Sequence, residues 1–359
     1  MIYVDNAATT KPKPEVIETI TRCLTDTWGN PSSLHSFGRD AKSIVDQSRK
    51  TIAEFIGAHP SEIIFTSGAC ESNSQAICGF LKNNDAKFIT TAIEHKSIMN
   101  IVDEYKHRSI VIPVDKDGFI DTNTLRENLE CYHALVSIQW ANNEIGTVQD
   151  MKAISELVHS YGCVLHTDAT QIIPDRKINI KGIDMMSFSG QKFGAPKGIG
   201  VLYVKRGVEL SPIIYGSQEK SRRGGTENVP YIAGLATAVN SIKYPTQEIR
   251  DYFVRGVLET INNCHLVGCQ CGNSRLKNNA SISFDGVNSE TALLMLSSKG
   301  IFASSGSACN SNNSNGSHVL KAIGEDANNV IRFTFDNNTK EEINVVIKEL
   351  ANIINLLRR

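Results

Sequence analysis

Short apolar segments that alternate with helix-like segments are the feature of this sequence that constrains its fold most. Each is a brief, continuous apolar run, which is typical of a strand buried on both faces of a parallel sheet. Between two of these runs, Ile154, Leu157, Val158 and Tyr161 follow helical spacing. Repeated βα units predict an α/β sheet that helices cover on both faces. We predict its strands at 62–66, 87–91, 134–138, 164–168, 185–188 and 199–204.

A change of composition near Lys243 predicts a domain boundary. Beyond it, a helical stretch precedes a strand at 280–284, another helix precedes a strand at 330–334, and a last helix runs over 340–359. Because 359 residues exceed the usual domain length of about 100–200 residues, we expect two domains. The large domain spans 13–243, and a smaller α+β domain combines 1–12 with 244–359. The stretch 304–317 is almost entirely Ser, Gly and Asn, which predicts a mobile loop.

Charge and cysteine usage exclude several classes of protein. A formal net charge of -1 argues against a nucleic-acid or membrane-surface partner. No apolar run approaches the ~20 residues of a membrane span, and the first residues do not resemble a signal peptide. Nine scattered cysteines argue against a secreted disulfide framework, so we expect a cytoplasmic protein. Cys269 and Cys271, near Cys264 and His265, match no common zinc spacing, so we predict no metal site.

A lysine and an aspartate each follow or end a predicted strand. Lys192 comes just beyond the strand at 185–188, and open α/β sheets bind ligands at that edge. Taken alone, Lys192 would be interpreted as an ordinary surface lysine. Asp168 ends another predicted strand, where a carboxylate could hold the proton of a pyridine nitrogen. Its alternative role is to cap a helix.

Three further strand ends carry groups suited to the same ligand. The segment 67–70 opens a helix after a strand, so its backbone N–H groups could bind a phosphate. The chain lacks the G-x-x-x-x-G-K-[ST] loop and has no G-x-G-x-x-G motif after a strand, which weakens the hypothesis of a nucleotide-binding site. His95 could stack on a pyridine ring and carry protons near neutral pH. An amide of Asn142 or Asn143 could bond a phenolic oxygen. Since these motifs meet at one crevice, we predict that pyridoxal phosphate binds there.

With these motifs in this order, the sequence closely resembles the NifS/IscS-type cysteine desulfurases, which are pyridoxal-phosphate enzymes. The resemblance covers almost the whole chain and includes the segments 3–10, 29–35, 304–309 and 331–333. It implies an α/β fold-type I PLP-dependent transferase whose large domain contains a mostly parallel seven-stranded sheet. It also implies an obligate homodimer, because the segment 223–226 resembles one whose threonine reaches the phosphate held by the other subunit.

The resemblance assigns roles to individual residues. Lys192 matches the lysine that forms a Schiff base with the cofactor, and His95 matches a histidine that stacks on the ring and handles protons. Cys309 matches the catalytic cysteine. Asn143 and Arg332 match substrate-binding residues, and a guanidinium suits a carboxylate. The implied cofactor-binding residues are Ala69, Cys70, His95, Asn143, Asp168, Gln171, Ser189, Gln191, Lys192 and Thr226.

The reaction implied by the resemblance depends on Cys309. Pyridoxal phosphate alone permits transamination, decarboxylation or elimination, and the surrounding protein groups select among them. A thiolate near the substrate sulfur would convert L-cysteine to L-alanine and keep the sulfur as a persulfide on Cys309. An acceptor protein of unknown identity would then take the sulfur for iron–sulfur cluster assembly or tRNA thiolation. A free thiol has a pKa near ~8.5, so we expect local activation of Cys309.

Two alternatives to a cysteine desulfurase stay open at this point. A selenocysteine lyase, or another lyase or aminotransferase on the same fold, would need no catalytic cysteine. A non-catalytic sulfur-relay partner would keep Lys192 without turnover. Gln191 stands where most relatives have histidine, and Cys70 where threonine is usual. Glutamine can donate to a phosphate but carries no charge, and a thiol is a weaker donor than a hydroxyl.

Overall fold

The structure is a computed structural model that describes residues 1–305 and 316–359. Cys309 lies outside the described residues. The helices are α1 (Pro14–Asp26), α2 (Ser36–Ile56), α3 (Ala69–Asn83), α4 (Lys96–Glu104), α5 (Thr122–Cys131), α6 (Met151–Ser160), α7 (Gln218–Ser221), α8 (Val229–Asn240), α9 (Glu248–Thr260), α10 (Ser289–Ser298), α11 (His318–Ala322) and α12 (Lys340–Leu357). The strands are β1 (Ile2–Tyr3), β2 (Ile63–Thr66), β3 (Lys87–Thr91), β4 (Ser109–Ile112), β5 (Ala134–Ser137), β6 (Val164–Asp168), β7 (Met185–Ser189), β8 (Gly200–Val204), β9 (Cys264–Leu266), β10 (Asn279–Phe284), β11 (Ile301–Phe302) and β12 (Val330–Thr334).

A seven-stranded sheet has the order β2-β8-β7-β6-β5-β3-β4. Strands β4, β3, β5, β6 and β7 pair in parallel, and β8 runs antiparallel to both β7 and β2. The mostly parallel seven-stranded sheet is therefore confirmed. Six of its strands match the apolar runs in the sequence to within a residue at each end. The seventh, β4, was not predicted, although Ile110, Val111 and Ile112 form an apolar run; it lies at the edge of the sheet, where Val111 is exposed.

Both faces of this sheet are buried, as the continuous apolar runs predict. Neighbouring residues of one strand belong to different hydrophobic cores: Ala134 and Val136 of β5 pack into one core, and Leu135 packs into another. Successive side chains of a strand point to opposite faces, so each face has its own core. Only a sheet covered on both sides produces this pattern.

A second structural unit packs around a small antiparallel sheet of order β12-β10-β9. Its core combines Val4 with residues from 253–354, and it includes α9, α10 and α12. The first residues join it through a parallel pair, β1 and β11, which the sequence patterns did not reveal. The assignment of 1–12 and 244–359 to a small domain, with its boundary at 243, stays a prediction.

The carboxyl ends of the parallel strands share one edge of the large sheet, and the predicted site residues lie there. Helix α3 begins shortly after β2, and α4 begins shortly after β3. Asp168 is the last residue of β6, and Lys192 ends a 3₁₀ turn that follows β7. Within the described part of the chain, no helix combines the length and apolar character needed to cross a membrane.

Candidate active site

A cavity of about 310 Å³ opens at this edge of the sheet. Thr226, which the resemblance assigns to the other subunit's site, is exposed and does not line it. Every other described residue predicted for the site lines the cavity: Ala69, Cys70, His95, Asn143, Asp168, Gln171, Ser189, Gln191, Lys192 and Arg332.

The Lys192 amine contacts the N-terminal segment of the chain. Its Nζ donates to the carbonyl oxygens of Ala7 at 2.8 Å and Ala8 at 2.6 Å. The same segment is held by the backbone N–H and hydroxyl of Thr10, which both donate to the carbonyl of Gln191 at 2.9 Å. A Cβ added at Gly190 would lie 2.7 Å from the Cβ of Ala195, which cannot rotate away, so the turn that presents Lys192 leaves no room for a side chain. The lysine is therefore positioned by both the sheet edge and the N-terminal segment.

The Asp168 carboxylate is buried at the base of the cavity. Its Oδ1 accepts the Thr170 N–H at 2.9 Å, and its Oδ2 accepts the Asn73 amide at 2.8 Å. A carboxylate can accept about four hydrogen bonds, so capacity remains for a ligand's N–H. Asp168 can thus hold the proton of a pyridinium nitrogen.

The start of α3 forms one wall of the cavity and is suited to bind an anion. Gly68 precedes the helix with φ 156°, a conformation that L side chains rarely adopt, and no side chain caps the helix. A Cβ at Gly200 would lie 2.6 Å from the Cα of Gly68, so this corner also excludes side chains. The backbone at Ala69 and Cys70 and the helix dipole favour a phosphate here. Gln191 adds an amide to the same wall, and its Oε1 lies 3.3 Å from the Thr9 hydroxyl.

Arg332 brings the small structural unit into the cavity. It lies on β12 and is 2% exposed. Its Nη2 contacts Asp5 Oδ1 at 2.8 Å, and its Nη1 donates to the Asn143 carbonyl at 3.1 Å. A paired and buried guanidinium keeps a defined orientation, which suits it to bind a carboxylate.

Several buried polar atoms at the cavity have no hydrogen-bond partner among the described residues. They are Thr170 Oγ1, Glu94 Oε2, Arg332 Nε and His318 Nδ1, all in lining residues, and Asn73 Oδ1 behind Asp168. Buried polar groups are normally satisfied, so such atoms mark positions where a bound molecule supplies partners. Together with a lysine, a carboxylate, an imidazole and a helix N-terminus, they fit a pyridine ring that carries an aldehyde and a phosphate.

Asp5, Glu94 and Asn73 are among the residues at the site that were not identified from the sequence. Asp5 lies within the segment 3–10 and Glu94 directly precedes His95, so a local signal existed. Asn73 had none, because the sequence does not show that the second turn of α3 faces the end of β6. Its amide contact with Asp168 joins residues 95 positions apart.

Glu94 provides a testable pH dependence. Its Oε1 accepts from the Thr91 hydroxyl at 2.7 Å and from the Gln139 N–H at 2.9 Å, while the carboxyl is fully buried. Burial raises the pKa of Glu94 from 4.5 to about 8. The folded state therefore binds more protons than the unfolded state between these values, and stability falls as pH rises through this window.

We expect Glu94→Gln to remove this loss, because the neutral amide can keep both accepted hydrogen bonds. The free energy of unfolding of the variant should rise relative to the unaltered protein by up to about 1.4 kcal/mol per pH unit between about pH 5 and about pH 8. Urea unfolding of both proteins, at one protein concentration and several pH values, measures the difference. A difference that stays constant with pH would contradict a titrating Glu94.

The chain is similar to known proteins over nearly its whole length. The model of the family described as aminotransferase class-V matches residues 2–346. The cysteine desulfurase IscS of Dictyoglomus turgidum is 39% identical over an alignment of 378 positions, gaps included, which covers 99% of this chain and 95% of that protein. The solved NifS-like protein from Rickettsia africae is 32% identical with a TM-score of 0.90, over 99% of both chains. The solved complex of SspA with cysteine is 32% identical with a TM-score of 0.83, over 93% of this chain and 99% of that one.

Proposed function

Because the chain belongs to the aminotransferase class-V family, we propose that it is a pyridoxal-phosphate-dependent cysteine desulfurase. The observation that carries this proposal is the convergence of Lys192, Asp168, His95 and Arg332 on one cavity. The similarity to relatives named cysteine desulfurase over nearly the full length supports L-cysteine as the substrate. The reaction forms L-alanine and leaves the substrate sulfur on the protein.

Different residues would contact different parts of the cofactor. When bound, pyridoxal phosphate supplies an electron sink for the bonds at the substrate's α-carbon. Lys192 would hold its aldehyde carbon, and Asp168 the proton on its ring nitrogen. His95 would lie against the ring. The residues that we assign to its phosphate and phenolic oxygens are Ala69, Cys70, Ser189, Gln191, Asn143, Gln171 and, from the other subunit, Thr226.

The protein's own groups orient the substrate and move its protons. Arg332 binds the substrate carboxylate with the guanidinium that Asp5 and the Asn143 carbonyl hold in place. This contact positions the α-carbon near Lys192. The Lys192 amine then removes the α-proton as a general base.

The sulfur step uses Cys309, whose role follows from the family resemblance. The Cys309 thiolate attacks the substrate sulfur, an S–S bond forms, and the carbon–sulfur bond breaks. The electron pair of that bond stays with carbon, which takes up a proton to become the methyl group of alanine. Carbon is reduced as the transferred sulfur is oxidised, so no external oxidant is needed. Cys309 ends as a persulfide.

We further propose a cytoplasmic homodimer that donates sulfur to an acceptor protein for iron–sulfur cluster assembly or tRNA thiolation. Exposed apolar side chains near the segment 223–226 support a partner subunit. Leu34 is 91% exposed and lines the same surface depression as Glu227, next to Thr226. A large exposed apolar side chain at this position favours an interface. Sedimentation of the full chain, compared with its Leu34→Glu variant, tests this assignment.

Mass spectrometry after incubation with L-cysteine tests the reaction. We expect one added sulfur atom on the peptide that contains Cys309, together with free alanine. Cys309→Ser should lose the adduct, and its alanine formation should fall by at least about 10²-fold. Cys131→Ser is a matched control, because Cys131 is exposed and lies outside the cavity.

The other outcomes distinguish the alternatives. Alanine formation that persists in Cys309→Ser would replace the persulfide mechanism with a lyase mechanism. No alanine from the unaltered protein loaded with pyridoxal phosphate would identify a non-catalytic protein.

A further inference from the structure

The hydrogen bonds of His95 determine which ring nitrogen carries its proton. His95 is the N-cap residue of α4, and its Nδ1 accepts the backbone N–H of Ser97 at 3.2 Å. A backbone N–H can only donate, so Nδ1 must present a lone pair. The Ser97 hydroxyl lies 2.9 Å from the same nitrogen. A neutral His95 therefore carries its proton on Nε2.

Asn73 orients the Ser97 hydroxyl. The Asn73 Nδ2 lies 2.8 Å from Asp168 Oδ2 and 3.0 Å from Ser97 Oγ. Because a carboxylate only accepts, the Asn73 atom that faces Asp168 must be the nitrogen, and its two hydrogens serve the two oxygens. The Ser97 oxygen thus accepts from Asn73, and the Ser97 hydrogen points to His95 Nδ1. Asn73 is fully buried, so this arrangement is shielded from water.

We propose that Asn73 and Ser97 are positioning residues that hold neutral His95 as the Nε2–H tautomer, so that the ring presents an N–H donor, and not a lone pair, to the cavity. The ring lines the cavity, and among the described residues its hydrogen bonds both involve Nδ1. Nε2 is thus the nitrogen left for a bound molecule. This inference rests on the proposed function for the identity of that molecule.

The tautomer with the proton on Nδ1 is disfavoured for two reasons. A proton on Nδ1 would face the Ser97 N–H, and α4 would lose its cap. In that tautomer, a proton taken up at Nε2 would make the ring a cation beside the positive end of a helix dipole. The charged neighbours of His95 are Asp168 and Lys192. Burial lowers the pKa of His95, Asp168 opposes this effect, and Lys192 adds to it.

A neutral donor has a different role from a base. The Nε2–H can stabilise a lone pair or a negative charge on an oxygen or sulfur of the bound substrate without a proton transfer. The inferred role links Asp168 and His95. Asp168 and His95 both depend on the one Asn73 amide, which contacts Asp168 directly and reaches His95 through Ser97.

Nitrogen-15 NMR of the histidine rings in the holoenzyme tests this inference, with His95→Gln to assign the signals. In the unaltered protein, we expect an unprotonated Nδ1 and a protonated Nε2. Ser97→Ala and Asn73→Ala should each lower the ratio of the Nε2–H to the Nδ1–H tautomer severalfold. Ser97→Thr keeps a hydroxyl and should restore the ratio. Asn100→Ala, at an exposed position on the same helix, is the matched control.

A protonated Nδ1 in the unaltered protein would overturn the proposal, as would an unchanged ratio in both Ser97→Ala and Asn73→Ala. The NMR readout requires no turnover. Failure to form alanine would therefore reject the proposed function and leave the tautomer result standing.

Discussion

Lys192→Ala is expected to reduce alanine formation from L-cysteine by at least about 10³-fold, because one residue supplies both the covalent attachment and the general base. The variant should also lose the visible absorbance that a lysine-bound pyridoxal phosphate contributes. Alanine release and absorbance spectra measure the two effects separately. Lys197→Ala is the matched control, because Lys197 is exposed a few residues further along the chain.

Chemical rescue distinguishes the role of Lys192 as a general base from its role in covalent attachment of the cofactor. An added small primary amine should restore part of the turnover of Lys192→Ala, since it can remove the α-proton from the space that the side chain leaves. Loss of the hydrogen bonds to Ala7 and Ala8 could also loosen the N-terminal segment, so the thermal unfolding of the variant is recorded in parallel. Turnover by Lys192→Ala close to that of Lys197→Ala would reject the assignment of the cofactor lysine.

Arg332→Ala is expected to lower kcat/KM for L-cysteine by about 10²–10³-fold. This corresponds to about 3–4 kcal/mol, within the range for truncating one partner of a buried, hydrogen-bonded charge pair. Most of the change should be in KM. Arg332→Lys should recover only part of the loss, because an ammonium cannot bind a carboxylate in the bidentate manner. Asp5→Asn keeps an acceptor for the guanidinium, so it should lower kcat/KM less than Arg332→Ala does.

Cysteamine makes this test specific, because it is the substrate analogue without the carboxylate. If Arg332 acts on that carboxylate, any turnover of cysteamine should differ little between the unaltered protein and Arg332→Ala. An equal loss for cysteine and cysteamine would show that Arg332 maintains the shape of the site and does not bind the substrate carboxylate.

The positions of the site residues along the chain explain what could be predicted. His95, Asp168 and Lys192 each follow or end a strand of the large sheet. The carboxyl ends of parallel strands share one edge, so local patterns were enough to place these side chains together. The pair β1 and β11 was missed, since two residues carry no periodic signal, whereas β4 was missed although its apolar run is comparable to that of the predicted strand β2.

Other features depend on contacts between distant parts of the chain. Asp5 and Arg332 are separated by 327 positions, and their ion pair exists only because the first residues pack against β12. The raised pKa of Glu94 comes from burial, which no neighbouring residue in the sequence indicates. Likewise, the proton position on His95 depends on Asn73, which another helix brings to Ser97.

The sequence by itself determined the α/β class, the edge of the sheet that carries the site, and the residues Lys192, Asp168 and His95 as its chemical groups. These follow from local periodicity and from the geometry that all parallel sheets share. The tertiary structure alone decided how those groups are paired and oriented. Burial and long-range hydrogen bonds set the protonation of Glu94 and His95 and the orientation of Arg332, because both depend on which distant atoms replace water around each side chain.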